Sequence, residues 1–387
     1  MAATHEHIIE RLALSMLPGM DTQVCDRILE AYPSPVDFLE GTQSELKARG
    51  CFPKGMLDSQ VRHQAVERAK REIEFLEKTS IRVLWYQDRD YPRNILKASR
   101  APIVIYTIGD TDLNNSRIVG IVGTRHATAY GNNFTEKLVK EIKETIENPV
   151  IISGLAYGID IAAHRAALKN DIPTLGIVGH GLDKIYPAVH RDTAARMVRR
   201  GGMILSDYPH DAPVNKYNFL ARNRLIAALS DALVVVESGE RGGALATARL
   251  AVKSGTPVFA LPGRITDTYS LGCNGLISDG IARPISCAEN IVKQLGWPVM
   301  DRRFSRIDPL DNLTTQEKAM LLSIMTIPQC DNDTLVATHG LTAATVMTLM
   351  IGLEMRGIVT AIPGNCYEIN IAVDPETLSN AIDHQSV

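Results

Sequence analysis

Val150-Ile151-Ile152-Ser153-Gly154-Leu155-Ala156-Tyr157-Gly158-Ile159-Asp160 is an apolar run that stops at a glycine and opens a helical pattern over 160–169. Three consecutive β-branched residues with no polar alternation mark a strand buried on both faces, as in parallel sheets covered by helices. The unit recurs in both directions from here. Further apolar runs are Ile81–Trp85, Ile103–Tyr106, Ile118–Val122, Thr174–Val178, Met203–Leu205, Ala232–Val236 and Pro257–Ala260. Between them lie helical patterns near 132–146, 189–199, 218–229 and 244–253. Residues 79–298 are therefore expected to form a Rossmann-like, doubly wound and mostly parallel α/β sheet.

The flanks differ. Residues 1–78 carry helical spacing over Ile8–Leu17, Thr22–Ala31, Pro35–Leu39 and Gln60–Glu77, with a Leu17-Pro18-Gly19-Met20 turn after the first. This suggests a helix-hairpin-helix or SAM-like module. Its first 75 residues hold nine Lys/Arg against twelve Asp/Glu, which favours a structural or adaptor role over contact with a polyanion. Residues 299–312 lose periodicity and read as a linker. Residues 313–373 read as a winged-helix domain, with helices near 315–325, 332–338 and 342–356 before Ile358–Ile362 and Cys366–Ile369; 374–387 is a tail. A winged helix usually lays its third helix in a DNA groove. Here Ala343–Gly352 has no cation, and 314–370 carry two basic side chains against five acidic ones, so protein contact is the better reading.

Composition narrows the class. The 387 residues are 45% hydrophobic and 22% charged, with a net charge of -3, as in an ordinary globular protein without a positive coat. No apolar run approaches the ~20 residues of a membrane span, and Met1-Ala-Ala-Thr-His-Glu has no basic stretch before an apolar one. The six cysteines, Cys25, Cys51, Cys273, Cys287, Cys330 and Cys366, form no CxxC pair, so neither a disulfide framework nor a zinc site is expected. A cytoplasmic protein without membrane contact, metal or cofactor is the expectation.

The chemistry should sit where strands end in glycine. Gly123-Thr124-Arg125 follows the Ile118–Val122 strand; a glycine admits a phosphate, a helix start offers amides and Arg125 a bidentate cation. The same segment also reads as a plain strand-to-helix turn. Ser153, Gly154 and Gly158 mark a second such end. Asp160 and His164, four residues apart, could form a catalytic or metal pair. A helix N-cap at Asp160 and a packed, hydrogen-bonded His164 are the stronger readings. Gly179–Pro187 supplies Lys184. Arg222 lies on the apolar stripe of Leu225 and Leu229, which requires its head to reach a cleft or a partner. Either Arg222 or Arg224 could pair with a core carboxylate such as Glu237. Gly242 and Gly243 open the next helix with another nest of amides.

Taken in order, these segments resemble the DNA-processing protein A (DprA/Smf) family. The match rests on GTR at 123–125, SGxAxGID at 153–160, GxGxDxxYP at 179–187, RNR at 222–224, and Leu261-Pro262-Gly263 before Gly272-Cys273-Asn274-Gly275-Leu276-Ile277. Asp90-Tyr91-Pro92 and Ala101-Pro102 fit as well. His190, Asp207, Leu220 and Arg241-Gly242 depart from the family pattern. The resemblance implies a homodimer that binds single-stranded DNA and loads the recombinase RecA during DNA uptake, natural transformation or recombination, without catalysis. Carried over by motif, the DNA site comprises Gly123, Thr124, Arg125, Ser153, Gly154, Gly158, Gly242 and Gly243, with Lys184, Lys216 and Arg222 as its cationic rim. A narrow crevice of amides and a few cations suits a splayed single strand, and Tyr130, Tyr157, Tyr186, Tyr217 and Phe219 lie beside these loops for stacking. The chief alternative is a phosphoribohydrolase-like nucleotide enzyme. Those enzymes carry PGGxGTxxE; here Gly242-Gly243-Ala244-Leu245-Ala246-Thr247 has one residue too many and Arg249 stands near the place of the acid, so a general base is missing. A NAD enzyme lacks its GxGxxG, and no P-loop motif occurs.

Overall fold

A computed structural model describes residues 5–298, 313–327 and 330–370. The linker expected at 299–312 and the tail at 374–387 lie outside the described residues. Two compact units divide after Met300.

The first unit begins with five helices, α1 (His5–Ser15), α2 (Thr22–Ala31), α3 (Pro35–Glu40), α4 (Gln43–Arg49) and α5 (Ser59–Leu76). Short polar residues start them: Asp21, Ser34 and Asp58 accept backbone N–H bonds as N-caps, and Thr42 with Glu45 forms a capping box at α4. The α3–α4 corner is held from inside. Arg62 of α5 is wholly buried, and its guanidinium donates to the carbonyls of Leu39, Met56 and Gly41.

The sheet follows: β1 (Arg82–Trp85), β2 (Val104–Gly109), β3 (Arg117–Val122), then α6 (Ala129–Thr145), β4 (Pro149–Ser153), α7 (Ile159–Lys169), β5 (Thr174–Ile177), α8 (Arg191–Arg199) and β6 (Met203–Ser206). It continues through α9 (Lys216–Leu229), β7 (Ala232–Val235), α10 (Gly243–Lys253), β8 (Val258–Ala260), α11 (Leu271–Ser278), β9 (Arg283–Pro284) and α12 (Glu289–Leu295). The nine strands lie in the order β1-β2-β6-β5-β4-β3-β7-β8-β9. Pairing is parallel from β6 to β9, while β1, β2 and β6 pair antiparallel. This is the doubly wound, Rossmann-like, mostly parallel sheet expected from the sequence.

Successive side chains of the buried strands enter opposite cores. In β3, Ile118 and Val122 face one core with Leu225, Leu229 and Leu245 of α9 and α10, whereas Val119 and Ile121 face another with Leu138, Ile142 and Ala167 of α6 and α7. The first of these cores does not stop at residue 78. Leu12, Leu14, Ile28 and Phe38 of the N-terminal helices belong to it together with Trp85, Tyr86 and Tyr106 of the sheet. Polar ties run alongside: Tyr86 donates to Asp26 (2.5 Å), and Thr22 N–H to the Ala101 carbonyl (3.1 Å).

In the second unit α13 (Thr315–Thr326), α14 (Asn332–His339) and α15 (Ala343–Met355) precede a hairpin of β10 (Val359–Ile362) and β11 (Cys366–Ile369) around its own small core. All six cysteines are free. Among the described residues no single helix is long and apolar enough to cross a membrane, and no cluster of His, Cys, Asp or Glu could hold a metal ion.

Candidate functional site

Strand order runs away from β3 in both directions, so the loops leaving β3 and β7 part at the centre of the sheet. Ligands of open α/β sheets bind in such a crevice. A cleft of about 800 Å³ occupies it, walled by Gly123, Thr124 and Arg125 after β3, Asp160 from α7, the α9 segment from Lys216 to Ile226, and Gly242 to Thr247.

Each wall has its own construction. Thr124 is pinned by two backbone bonds and one to its side chain: its N–H donates to the Glu237 carbonyl (2.6 Å), its carbonyl accepts from Ile159 N–H (3.1 Å), and its hydroxyl accepts from His126 N–H (3.1 Å). Arg125 follows, exposed and without an ion-pair partner among the described residues. The start of α6, expected to offer unpaired amides here, is already occupied. Buried Glu237 accepts from Thr128 N–H (2.9 Å) and Thr128 Oγ1 (2.5 Å), and Thr128 Oγ1 caps Gly131 N–H. Glu237 thus serves α6, and neither Arg222 nor Arg224 pairs with it. Arg224 meets Asp207 at 2.6 Å.

The second glycine end is packed shut. Ser153 is wholly buried and donates to the Ile121 carbonyl (2.6 Å). Gly154 lies beneath Arg222 and Asp160: a Cβ there would stand 2.5 Å from Arg222 Nη2 and 2.6 Å from Asp160 Oδ2. Gly158 adopts a positive φ of 75° at the α7 N-cap. Asp160 is therefore in the first turn of the helix, two residues past the cap, because a left-handed glycine takes that position. Its carboxylate instead accepts from Gly154 N–H (3.1 Å). Burial pushes the Asp160 carboxyl up, against the pull of the Arg222 charge. His164 is packed as expected, with Nδ1 2.7 Å from Thr174 Oγ1.

Arg222 reaches the cleft, but as floor and not as rim. It is 4% exposed and donates to the Gly154 carbonyl (2.8 Å). Burial lowers its pKa to about 10, which leaves it cationic at neutral pH. Lys216 is exposed on the rim, its ammonium 5.2 Å over the Tyr217 ring. Lys184 is absent from the cleft wall and pairs with Asp183 at 3.0 Å. Gly242 and Gly243 do line it. They start α10 with no side-chain cap, so the amide-rich, positive end of that helix faces the cavity.

The aromatic component is sharper than the sequence allowed. Tyr186 and Phe219 line the cleft and stack on each other, 5.5 Å between centroids at 27°. His180 orients Tyr186: Nε2 accepts from Tyr186 N–H (3.2 Å) while Nδ1 donates to the Gly181 carbonyl (2.8 Å). Tyr130 and Tyr157 stand outside the wall; Tyr130 donates to the Pro262 carbonyl and Tyr157 lies edge-on to His190. The GxGxDxxYP spacing held the signal for Tyr186, but its partner Phe219 comes from another segment.

Known proteins share this architecture and sequence. The family described as DNA recombination-mediator protein A matches residues 82–296. Protein Smf of Escherichia coli is 32% identical over 277 residues, covering 71% of this chain and 74% of that protein. DNA processing protein DprA of Bacillus subtilis is 38% identical over 208 residues, 54% of this chain and 69% of the other. The X-ray structure of DNA processing protein A from Streptococcus pneumoniae superposes with a TM-score of 0.62 at 30% identity, over 76% of this chain and 99% of that one.

Proposed function

The chain belongs to the DNA recombination-mediator protein A family, and on that premise we propose that its central cleft binds single-stranded DNA and hands the strand to a RecA recombinase. The observation that carries the reading is the composition of the cleft. An exposed cation at Arg125, a second at Lys216, the open N-terminus of α10 and a stacked aromatic pair all face one cavity. Cations and amides suit a phosphodiester, and an aromatic face suits an unpaired base of any identity. The binding set is Gly123, Thr124, Arg125, Lys216, Arg222, Gly242 and Gly243, with Ser153, Gly154 and Gly158 as its packed support.

The reading is of a binding protein. The carboxylate on the cleft wall is Asp160, and it is held by Gly154 N–H and the nearby Arg222 charge; Glu237 is held by Thr128. Neither is available as the general base a nucleotide hydrolase needs. A homodimer in the cytoplasm, presenting two clefts that strengthen each other's hold on one strand, completes the proposal. The winged-helix reading of residues 313–373 and their role in protein contact belong to it as well.

Arg125→Ala tests the site. Loss of a charge-assisted contact should weaken single-strand binding by about 1.5–3 kcal/mol, roughly 10- to 150-fold. Fluorescence anisotropy with a labelled oligonucleotide measures it, and equal affinity in a folded variant overturns the assignment. With about three to five phosphates engaged, log affinity against log salt should fall with a slope of about -2 to -4. A slope near zero would identify a small neutral ligand instead.

A further inference from the structure

Along the far stretch of α10, and against Arg224 of α9, lies a second groove of about 430 Å³. Its walls are Lys97 to Ala101 before β2, the start of α2, Arg224 of α9, and Leu250, Lys253 and Ser254 at the end of α10. We propose that this groove binds a further phosphate of the same single strand, so that DNA leaving the cleft is led along α10; the inference rests on the cleft being a single-strand site.

Charge distribution is the first ground. The chain as a whole is net negative, yet α9 and α10 contain Lys216, Arg222, Arg224, Arg249 and Lys253 and no carboxylate. The facing segment Arg93–Ala101 adds Arg93, which is bonded to the Tyr86 and Asp88 carbonyls, and Lys97 and Arg100, again without an acid. Asp21 is the acidic side chain on the groove wall, and its carboxylate is spent on Val24 N–H (2.9 Å). Among the described residues Lys97, Arg100 and Lys253 make no contact ion pair and all three are exposed; the Asp231 carboxylate, bonded to Ile118 N–H and Asn94, lies within electrostatic range of Lys97. Lys253 near a helix C-terminus has a local reason to exist. Three cations against the Asp21 carboxylate on the groove wall leave a mutual repulsion that a further anion relieves.

Continuity is the second ground. Helix α10 lines the cleft with Gly243, Ala244 and Thr247 and the groove with Leu250 and Lys253. Exposed Arg249 falls between these two sets in sequence and lines neither. The helix is ~16 Å long, a distance that a strand of a few nucleotides spans. Backbone strain is the third. Arg100 sits at a φ of 57°, where a non-glycine residue is disfavoured, and Arg224 Nε donates to its carbonyl (3.3 Å). The two arginines are thereby joined at the groove, and strained positions of this kind cluster where a ligand is held.

The test compares the full chain with a Lys97→Glu/Lys253→Glu variant on two oligonucleotides, of about 2 and about 20 nucleotides, the first too short to reach from cleft to groove and the second extending well beyond both. The long strand should bind the variant ~10-fold more weakly, with a salt slope shallower by about 0.7 for the one lost phosphate contact. The short strand should bind both proteins within about two-fold. A Lys97→Ala/Lys253→Ala variant should show the same split if charge reversal harms folding. Equal loss on both lengths, or no loss on either, overturns the groove. So does displacement of the long strand by inorganic phosphate at matched ionic strength, which marks a free-anion site. Failure of the unaltered chain to bind even the short strand would instead overturn the reading of the cleft.

Discussion

His164 has no access to solvent, and its two ring nitrogens have different fates. The Thr174 hydroxyl donates to the Ile151 carbonyl (2.9 Å), so it must accept from His164 Nδ1–H; Nε2 is left buried without a partner. A ring in that tautomer cannot take a second proton cheaply, and burial lowers its pKa to about 3. The folded-state value lies below the unfolded one of about 6.5, so its stabilising effect is complete above pH 6.5 and lost as pH falls from there toward 3. Between pH 7 and pH 4.5 the unaltered chain should therefore lose about 2–3 kcal/mol more stability than His164→Leu, as read from urea midpoints at the two pH values. Equal losses would show that the buried ring does not govern this titration. The packed state of this histidine was legible from its alanine neighbours. The sequence likewise marked Arg222 as anomalous on an apolar stripe, but not that Asp160 and the Gly154 carbonyl would draw its head to the floor of the cleft. Partners 62 and 68 residues away carry no local signal.

At the scale of elements, apolar runs located eight of the nine strands of the sheet and most helices between them; the seven inner ones are buried on both faces and leave no room for polar interruption. Three helices and one strand escaped it. Helix α4 is short and mostly exposed, with Leu46 as its single buried side chain, although its Thr42–Glu45 capping box was a readable start. Helices α11 and α12 are short, and β9 is two exposed residues on the sheet edge. Loop chemistry was read less fully than element type. Glycine runs announced close backbone approach, but which ends stay open depends on what approaches. Gly158 makes the point: a Cβ there would stand 2.2 Å from the Thr124 carbonyl oxygen, on top of the positive φ. Gly158→Ala should cost stability by about 1–3 kcal/mol and push the Thr124–Arg125 loop outward, so single-strand affinity falls with the melting temperature. Normal affinity in this variant would mean that the position of Arg125 does not depend on the α7 turn beneath it.

For the whole molecule, charge and packing point to different minimal fragments. Charge alone assigns residues 1–78 no DNA contact, so a fragment of 79–298 should bind a single strand nearly as well as the full chain. Packing does not divide there. The N-terminal helices and the sheet share one apolar core, and α5 reaches the cleft's own supporting loop. Buried Glu72 accepts from His210 N–H (3.1 Å) and Nδ1 (2.5 Å), Phe75 stacks on the His210 ring at 4.3 Å, and Arg68 pairs with Asp211 at 2.9 Å. That loop continues into Val214, Asn215 and Lys216 of the cleft wall. Cutting at 78 would expose apolar faces of Trp85, Tyr86 and Tyr106 and release the loop that carries Lys216. Each kcal/mol lost shifts the melting temperature of a unit this size by about 2–4 °C, and several such contacts go at once. Residues 79–298 should therefore be poorly soluble or melt at least about 10 °C below 1–298, with weaker strand binding, whereas 1–298 should unfold in one cooperative step. Calorimetry and anisotropy on the two fragments decide between charge and packing. If 79–298 melts with 1–298 and binds as tightly, the helical module is an independent attachment, and the shared core contributes little to holding the cleft.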